Sequence, residues 1–384
     1  MRLNAVAYEA MFKVGDEIEV EVLRVSSGGG RGVSKKNDFV IFTPNTAPGD
    51  EALIKITKVQ KSFAEAELVS LIKPSEHRME PACPVFEECG GCTLQMLKMS
   101  EQHNQKEGFL DFAVKSAFRD QEDEYVQEPI QGSAKAFRYR NRIQLHQEGK
   151  RLGFHKKGSN KLVRIDDCLI TDERIIAKFP ELKRQNRKRR VEIAVSQGGQ
   201  VVRNEKALGP EQALFSQVNE GLNKVLTKYI MDEAASISEL SYIQDLYCGS
   251  GNFSFPFAKA FPDSRVTGVE LSKASIEVAK EKNVLPNLKF IAADVSTYLK
   301  KIGKGNKKAD LLLVDPPRKG MEKSVVEAIL QSEVKNIFYI SCNLSSGARD
   351  LKTLSAKYKL IKAKPFDMFP QTDHVESFFR LELK

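Results

Sequence analysis

A thiol stands where an apolar run gives way to small polar residues. "IFYISCNLSS" (337–346) carries Cys342 to the point where a strand empties into a loop. A lone cysteine in such a place is more often a small hydrophobe closing a core than a reagent. Other segments change that balance. "DLYCGSGNF" (245–253) breaks from an apolar strand into glycines at 249 and 251, which let the backbone turn sharply and approach a ligand beside the next helix. Glu270 ends the following strand, where an acid receives ribose hydroxyls, and Asp294 ends the third, where it can accept from an adenine amino group. "LLLVDPPRKG" (311–320) then places Asp315 at the end of a fourth strand. This series fits S-adenosylmethionine (SAM) better than a dinucleotide. Cys248, inside the glycine turn, reads as packing.

A thiol beside a methyl donor has a specific use. C5 of a pyrimidine is too weak a nucleophile to attack a methyl sulfonium. A thiolate adding to C6 turns the ring into an enolate and makes C5 reactive. A base must then remove the C5 proton so that the thiolate can leave. "FPQTDHVESFFRLEL" (369–383) offers Glu376, with His374 close by. Enzymes that methylate amino groups place an aromatic residue after their D/N-P-P tripeptide; Arg318 stands there instead, which disfavours that chemistry.

Four more cysteines form a separate constellation. Cys83, Cys89 and Cys92 follow the pattern C-x5-C-x2-C in "CPVFEECGGC", and Cys168 lies apart in "RIDDCLI". A compact triplet with one distant member suits an iron–sulfur cluster or a structural zinc. The spacing is not the C-x3-C-x2-C of radical enzymes, and none of the five histidines shows a metal-ligand spacing.

These residues need elements to hold them. From about residue 206, "YIQDLYC", "RVTGVE", "KFIAAD", "DLLLVD" and "NIFYIS" alternate with helical segments such as "SKASIEVAKEKN". That order implies an α/β fold, a doubly wound parallel sheet with helices on both faces. Near the other end, "GDEIEVEVLRVSS" (15–27) and "EALIKITKV" (51–59) alternate apolar and charged residues between turns. Short strands at that spacing predict a small β-barrel of the OB type, a frequent nucleic-acid binder. Residues 73–83 read as a linker and 93–118 as helical. "FRYRNRIQLH" (137–146) reads as a strand with Arg138, Arg140 and Arg142 on one face.

Composition agrees with a multidomain protein for an aqueous compartment. The 384 residues, 29% charged and 41% hydrophobic, exceed one ordinary core. There is no signal-peptide pattern or membrane-spanning run, so a cytoplasmic location without membrane association is expected, where thiols stay reduced. The net charge of +9 is concentrated: residues 131–203 hold 19 Lys and Arg against 7 Asp and Glu. A basic module of this kind points to a polyanionic partner.

Together these segments resemble the RNA (uracil-5-)-methyltransferase family over nearly the whole chain. They are most similar to its iron–sulfur 23S ribosomal RNA members with an N-terminal TRAM domain. The carriers are "MFKVGDEIEVEVLRV" with "FTPNTAPGDEALIKITKV", "CPVFEECGGC", "LFSQVN", "DLYCGSGNF", "GVE", "DPPRKG", "ISCN" and "DHVESF". The resemblance implies Cys342 as nucleophile and Glu376 as the base that takes the C5 proton. It assigns Gln217, Tyr247, Asn252, Glu270, Asp294 and Asp315 to SAM and active-site positions. It also implies a 4Fe–4S cluster on Cys83, Cys89, Cys92 and Cys168. The expected domains are a TRAM/OB-like barrel (1–72), a basic cluster-binding domain (73–205) and a Rossmann-like methyltransferase domain (206–384). Residues 93–125 are expected to pack on the last of these. The expected partner is RNA, ribosomal in preference to transfer RNA, and the expected state is a monomer. Leu344 replaces a usual proline, and Asp373 a common histidine, departures that bear on loop rigidity and substrate preference.

Three other readings are weaker. RNA cytosine-5 methyltransferases carry a second cysteine after their D-x-P motif, and "DPPRKG" has none. A non-catalytic iron–sulfur RNA-binding protein would not need Cys342 or Glu376. DNA methylation is disfavoured because Ser341, not proline, precedes the thiol.

Overall fold

The structure, a computed structural model, describes residues 12–119, 121, 124–196, 198–204, 217–302 and 308–384. The first eleven residues of the expected barrel segment, the boundary near 205 and the "LFS" of "LFSQVN" lie outside the described residues.

Strands Glu17–Val25 (β1), Gly32–Lys36 (β2), Phe39–Thr43 (β3), Glu51–Val59 (β4) and Phe63–Lys73 (β5) close into a barrel in the order β1-β2-β3-β5-β4. Alternation explains the closure. Val20, Ile41, Ile54, Ile56 and Ala64 point inward and are buried, while the charged partners face water. After the cysteine loop, the helix Met99–Ala117 (α1) buries Phe109, Leu110, Ala113 and Val114. The short strand Val126–Gln127 (β6) follows.

The basic segment folds as Arg142–Gly149 (β7), Arg151–His155 (β8), Leu162–Arg164 (β9), the helical turns Glu173–Ile176 (α2) and Phe179–Arg184 (α3), then Arg187–Val195 (β10) and Val201–Asn204 (β11). The strands form one antiparallel sheet, β11-β10-β7-β8-β9, packed on Ile175, Phe179 and Leu182. Here the strand expected over 137–146 is corrected: it starts only at Arg142. Arg138 takes a positive φ of 55°, and the N–H groups of Arg138 and Arg140 donate to the carbonyls of Leu169 and Ile170. The expected row of three arginines is broken as well. Arg138 pairs with Asp167 at 2.6 Å, and Arg142 pairs with Glu192. Pairing with the loop that carries Cys168 has won over strand propensity.

The remaining elements are Glu220–Ala235 (α4), Tyr242–Leu246 (β12), Ser254–Ala260 (α5), Arg265–Glu270 (β13), Lys273–Lys282 (α6), Leu288–Ala292 (β14), Val295–Ile302 (α7), Leu311–Val314 (β15), Lys323–Ser332 (α8), Asn336–Ser341 (β16), Leu344–Leu354 (α9), Tyr358–Phe366 (β17) and Glu376–Leu383 (β18). They build an eight-stranded sheet in the order β14-β13-β12-β15-β16-β18-β17-β6. Its first five strands are parallel, and β18 inserts antiparallel between β16 and β17. Apolar cores cover both faces. Helices α1, α7, α8 and α9 contribute to one, and α4, α5 and α6 to the other. Strand order reverses between β12 and β15, which opens a crevice at the carboxyl ends of these strands. Among the described residues, no helix is long and apolar enough to cross a membrane.

Candidate active site

The insertion of β18 brings the separated motifs together. Because β18 runs against β16, its first residues lie beside the last of β16, with Ser377 opposite Ser341. Glu376 therefore starts its strand next to the point where Cys342 leaves β16. Asp315 directly follows the adjacent strand β15, and its loop is tied to the thiol's loop. Asn343 Nδ2 donates to the Arg318 carbonyl at 3.0 Å, and Ser346 Oγ donates to the same oxygen at 2.9 Å.

Charge and burial set the state of this group. Glu376 is 2% exposed, and its Oε1 has no hydrogen-bond partner among the described residues. Burial, then the charge of Asp315, raises its carboxyl well above the ordinary range, against the pull of Arg318. Burial raises Asp315 to about 7. The Cys342 thiol is pushed up to about 12 by burial, then by Glu376 and Asp315, with Arg318 opposing. Arg318 is thus a cation that favours both the thiolate and the carboxylate.

A cavity of about 300 Å³ opens over the thiol. Its lining includes the β1–β2 turn of the barrel, at Ser27, Gly28 and Gly29, together with Arg318, Asp373 and His374. Asp373 joins these parts. Its Oδ2 accepts from the Gly29 N–H at 2.8 Å, and its Oδ1 accepts from Thr93 Oγ1 at 2.9 Å. Burial lowers the affinity of His374 for a proton, as do Arg318, Lys106 and Arg140, while Asp373 acts the other way.

The crevice beside β12 holds the expected cofactor residues. Tyr247 and Gly249 take positive φ values of 63° and 55° where the chain leaves β12. A side chain at Gly251 would meet the Phe255 ring at 2.8 Å, so the turn requires glycine. Glu270 accepts from the Gly249 N–H at 3.2 Å and the Ser272 N–H at 2.8 Å, holding the glycine turn to β13. Asp294 accepts from the Thr297 N–H at 2.8 Å, at the start of α7. Asn252 pairs with Asn223 of α4 at 2.9 Å. Gln217 is fixed through its carbonyl oxygen, which accepts from Asn141 at 3.1 Å. The buried Asp245 carries an Oδ1 with no partner among the described residues, and burial raises its carboxyl to about 7. Acids at successive strand ends around a glycine turn fit the ribose and adenine of SAM. Cys248 packs in the core, with Gly268 against its sulfur.

The four other cysteines line one cavity of about 320 Å³. Cys89 and Cys92 are buried, and the Gly91 N–H donates to the Cys89 sulfur at 3.4 Å. Burial raises the thiols of Cys89 and Cys168 and pushes Cys92 up to about 12; in each case other thiols of the set add to the rise. Among the described residues, no three His, Cys, Asp or Glu side chains are arranged to hold a metal ion. Arg318 and His374 line this cavity as well as the one over Cys342.

Sequence reasoning did not find the supports of the site. Asp373 drew notice only as a departure, not as a clamp. Lys106 of α1 is fully buried and donates to Asp367 at 2.5 Å and to the Phe369 carbonyl at 3.2 Å, fixing the loop that leads to Glu376. A lysine inside an otherwise amphipathic helix is a weak signal without its partner.

The family described as tRNA (Uracil-5-)-methyltransferase matches residues 200–384, and the TRAM domain matches residues 12–69. An uncharacterized RNA methyltransferase of Bdellovibrio bacteriovorus is 37% identical over 383 residues, covering 96% of both chains. The chain belongs to the RNA (uracil-5-)-methyltransferase family. Another relative is the tRNA (uracil(54)-C(5))-methyltransferase of Schizosaccharomyces pombe, 29% identical over 96% of this chain and 79% of its own length. The fold matches that of Pyrococcus abyssi tRNA (uracil-54, C5)-methyltransferase, solved with S-adenosyl-L-homocysteine. The TM-score is 0.70 at 22% identity, covering 95% of this chain and 100% of that one. As a member of the RNA (uracil-5-)-methyltransferase family, the chain is a SAM-dependent RNA-modifying enzyme with a TRAM barrel at its amino-terminal side.

Proposed function

We propose that Cys342 and Glu376 carry out methylation of uridine C5 in RNA. The observation that supports this most is the buried Glu376 carboxyl, whose Oε1 has no hydrogen-bond partner among the described residues, beside the loop of Cys342. The Cys342 thiol gives up its proton to solvent, and its sulfur adds to C6 as the C5–C6 electron pair moves toward the ring carbonyl. Bound in the β12 crevice, SAM supplies the methyl group that C5 then takes. Glu376 removes the C5 proton, the C5–C6 double bond re-forms and the C6–sulfur bond breaks. A buried carboxylate is a stronger base than an exposed one, which suits that task. The target base must be unstacked to present C6 to a thiol this enclosed.

Glu270 and Asp294 are assigned to the ribose and adenine, and Gln217, Tyr247, Asn252 and Asp315 to the remaining SAM and active-site contacts. A 4Fe–4S cluster on Cys83, Cys89, Cys92 and Cys168 is supported by one cavity lined by all four thiols and by an amide aimed at the Cys89 sulfur. A single tetrahedral zinc, with Zn–S bonds of about 2.3 Å, would need a tighter thiol group than a cluster does.

For the substrate, the barrel and the basic sheet favour a loop uridine of 23S ribosomal RNA, because they can contact phosphates well beyond the target loop. A second reading, the T-loop uridine of transfer RNA, is favoured by the two relatives named for uracil 54. Labelled SAM with unmodified 23S fragments and transfer-RNA transcripts separates the two. The chemistry is tested by 5-fluorouridine in the accepted RNA, since fluorine cannot leave as a proton does. Wild type forms a covalent adduct and Cys342→Ala forms none; full methylation by Cys342→Ala would overturn the assignment.

A further inference from the structure

Beside the barrel turn lies a further cavity of about 620 Å³. It forms where the β1–β2 turn, the cysteine loop and the β8–β9 hairpin meet. The meeting is built by backbone contacts. The Gly90 N–H donates to the His155 carbonyl at 2.9 Å, and the Lys157 N–H donates to the Glu88 carbonyl at 3.0 Å. A side chain at Gly90 would stand 3.0 Å from the His155 oxygen, so this closeness depends on glycine.

The lining has a definite chemistry. The rings of His146 and His155 stack with centroids 3.7 Å apart at 25°. Arg31, Lys156 and Lys157 supply three cations, and the lining residues include no acid. Flat rings next to cations and exposed backbone are what an unstacked nucleotide requires: the base stacks, and the phosphate meets Lys and Arg. An acidic peptide would use the cations but not the ring stack.

The position relative to Cys342 is also informative. Gly29 lines this cavity and the cavity over Cys342, so the two adjoin at one glycine turn. A strand whose uracil enters one can lay a nearby nucleotide in the other.

We propose that this cavity is a second nucleotide site, which receives an unpaired nucleotide of the same RNA close in sequence to the target uridine. Its base would stack on the His146–His155 pair, and its phosphate would face Lys156 and Lys157. The proposal rests on the reading of the chain as an enzyme acting on RNA.

The test uses an unmodified transfer-RNA transcript and 23S fragments, each with single abasic substitutions along its unpaired positions. Binding is measured by fluorescence anisotropy with S-adenosylhomocysteine present, for wild type, His146→Ala and His155→Ala. In wild type, one abasic position other than the target should weaken binding about tenfold, as expected for a lost stack. In both variants the intact RNA should bind about tenfold more weakly, and that position should lose its effect. Lys156→Glu, at an exposed site, should weaken intact and abasic RNA by the same factor with no change in melting temperature. Equal abasic penalties in wild type and variants, or binding by neither RNA, would overturn the proposal. The 5-fluorouridine adduct, scored in parallel, reports the Cys342 reading separately. An adduct without the stacking effect sinks only the second site, and the stacking effect without an adduct sinks only the chemistry.

Discussion

The N–H of Gly29 donates to Asp373 Oδ2 at 2.8 Å, joining the first turn of the barrel to the loop that delivers Glu376. The same carboxylate takes the Thr93 hydroxyl, and the Asp373 N–H donates back to Thr93 Oγ1 at 2.9 Å. Three segments far apart in sequence therefore share one side chain, 4% exposed.

Asp373→Ala should loosen the barrel turn without touching the reacting groups. KM for RNA is expected to rise about tenfold, with kcat falling no more than about twofold, since positioning of substrate is lost rather than transition-state contact. Asp373→Asn, which keeps one acceptor, should recover part of the loss. Steady-state kinetics on an accepted RNA decide it: a lower kcat at constant KM would place Asp373 in the chemistry.

Glu376→Gln should stall after methyl transfer. The expected product is a denaturation-resistant protein–RNA adduct carrying the added methyl, seen as a shifted band and by mass. Ordinary turnover by this variant would require another base, with His374 the nearest candidate.

Arg318 should govern the reactivity of the thiol. Burial, Glu376 and Asp315 push Cys342 up to about 12, and Arg318 opposes them. In wild type, alkylation of Cys342 by iodoacetamide should climb with pH and reach no plateau below that value. Arg318→Ala raises the thiol further, so the rate at pH 9 should fall about three- to tenfold. Peptide mass spectrometry resolves Cys342 from the other five cysteines. A plateau near pH 8 in wild type would contradict the assignment.

Lys106→Ala should be among the costly substitutions, about 3–5 kcal/mol, because it leaves Asp367 buried without its cation. The pH dependence has a definite sign. Burial alone would raise Asp367, but Lys106 and His103 hold it below the usual carboxylate range. Its stabilising contribution is then full above its unfolded value, about 4, and is lost as pH falls through the lower folded value. In the variant, burial acts with less opposition, and protonation relieves the folded state. Denaturant melts at pH 7 and pH 4 should show the gap between the two proteins narrowing in acid; a gap that widens would refute this.

Protein purified without oxygen should be brown and hold iron, and Cys89→Ser should lose that iron. The same change should lower the melting temperature, because the Cys89 loop bridges to Lys156 of the hairpin. Colourless protein with one tightly bound zinc would replace the cluster assignment and leave the uridine chemistry standing.

Local signals in the sequence carried much of the fold. β4 is the alternating run 51–59, and the buried strands β12 to β16 are apolar runs ending in small or polar residues. Cys342 and Glu376 were legible as motifs, but their meeting was not, because it depends on β18 entering between two strands that precede it. The arginines at 138–142 misled because a period of two says nothing about a competing partner at Leu169 and Ile170. The Lys106–Asp367 pair spans 261 residues, and no local pattern connects its ends.

The place of β18 also sets an order of events in the life of the chain. The barrel and the basic sheet precede it in synthesis, so a growing chain presents RNA-facing surfaces before Glu376 exists. Until β18 enters, β16 and β17 each have an unsatisfied edge, the kind of surface that recruits stray strands. The step that closes the sheet is the step that installs the carboxylate. On the proposed assignment of Glu376, an immature chain would be a binder without its base, and completion of the fold and onset of turnover would coincide.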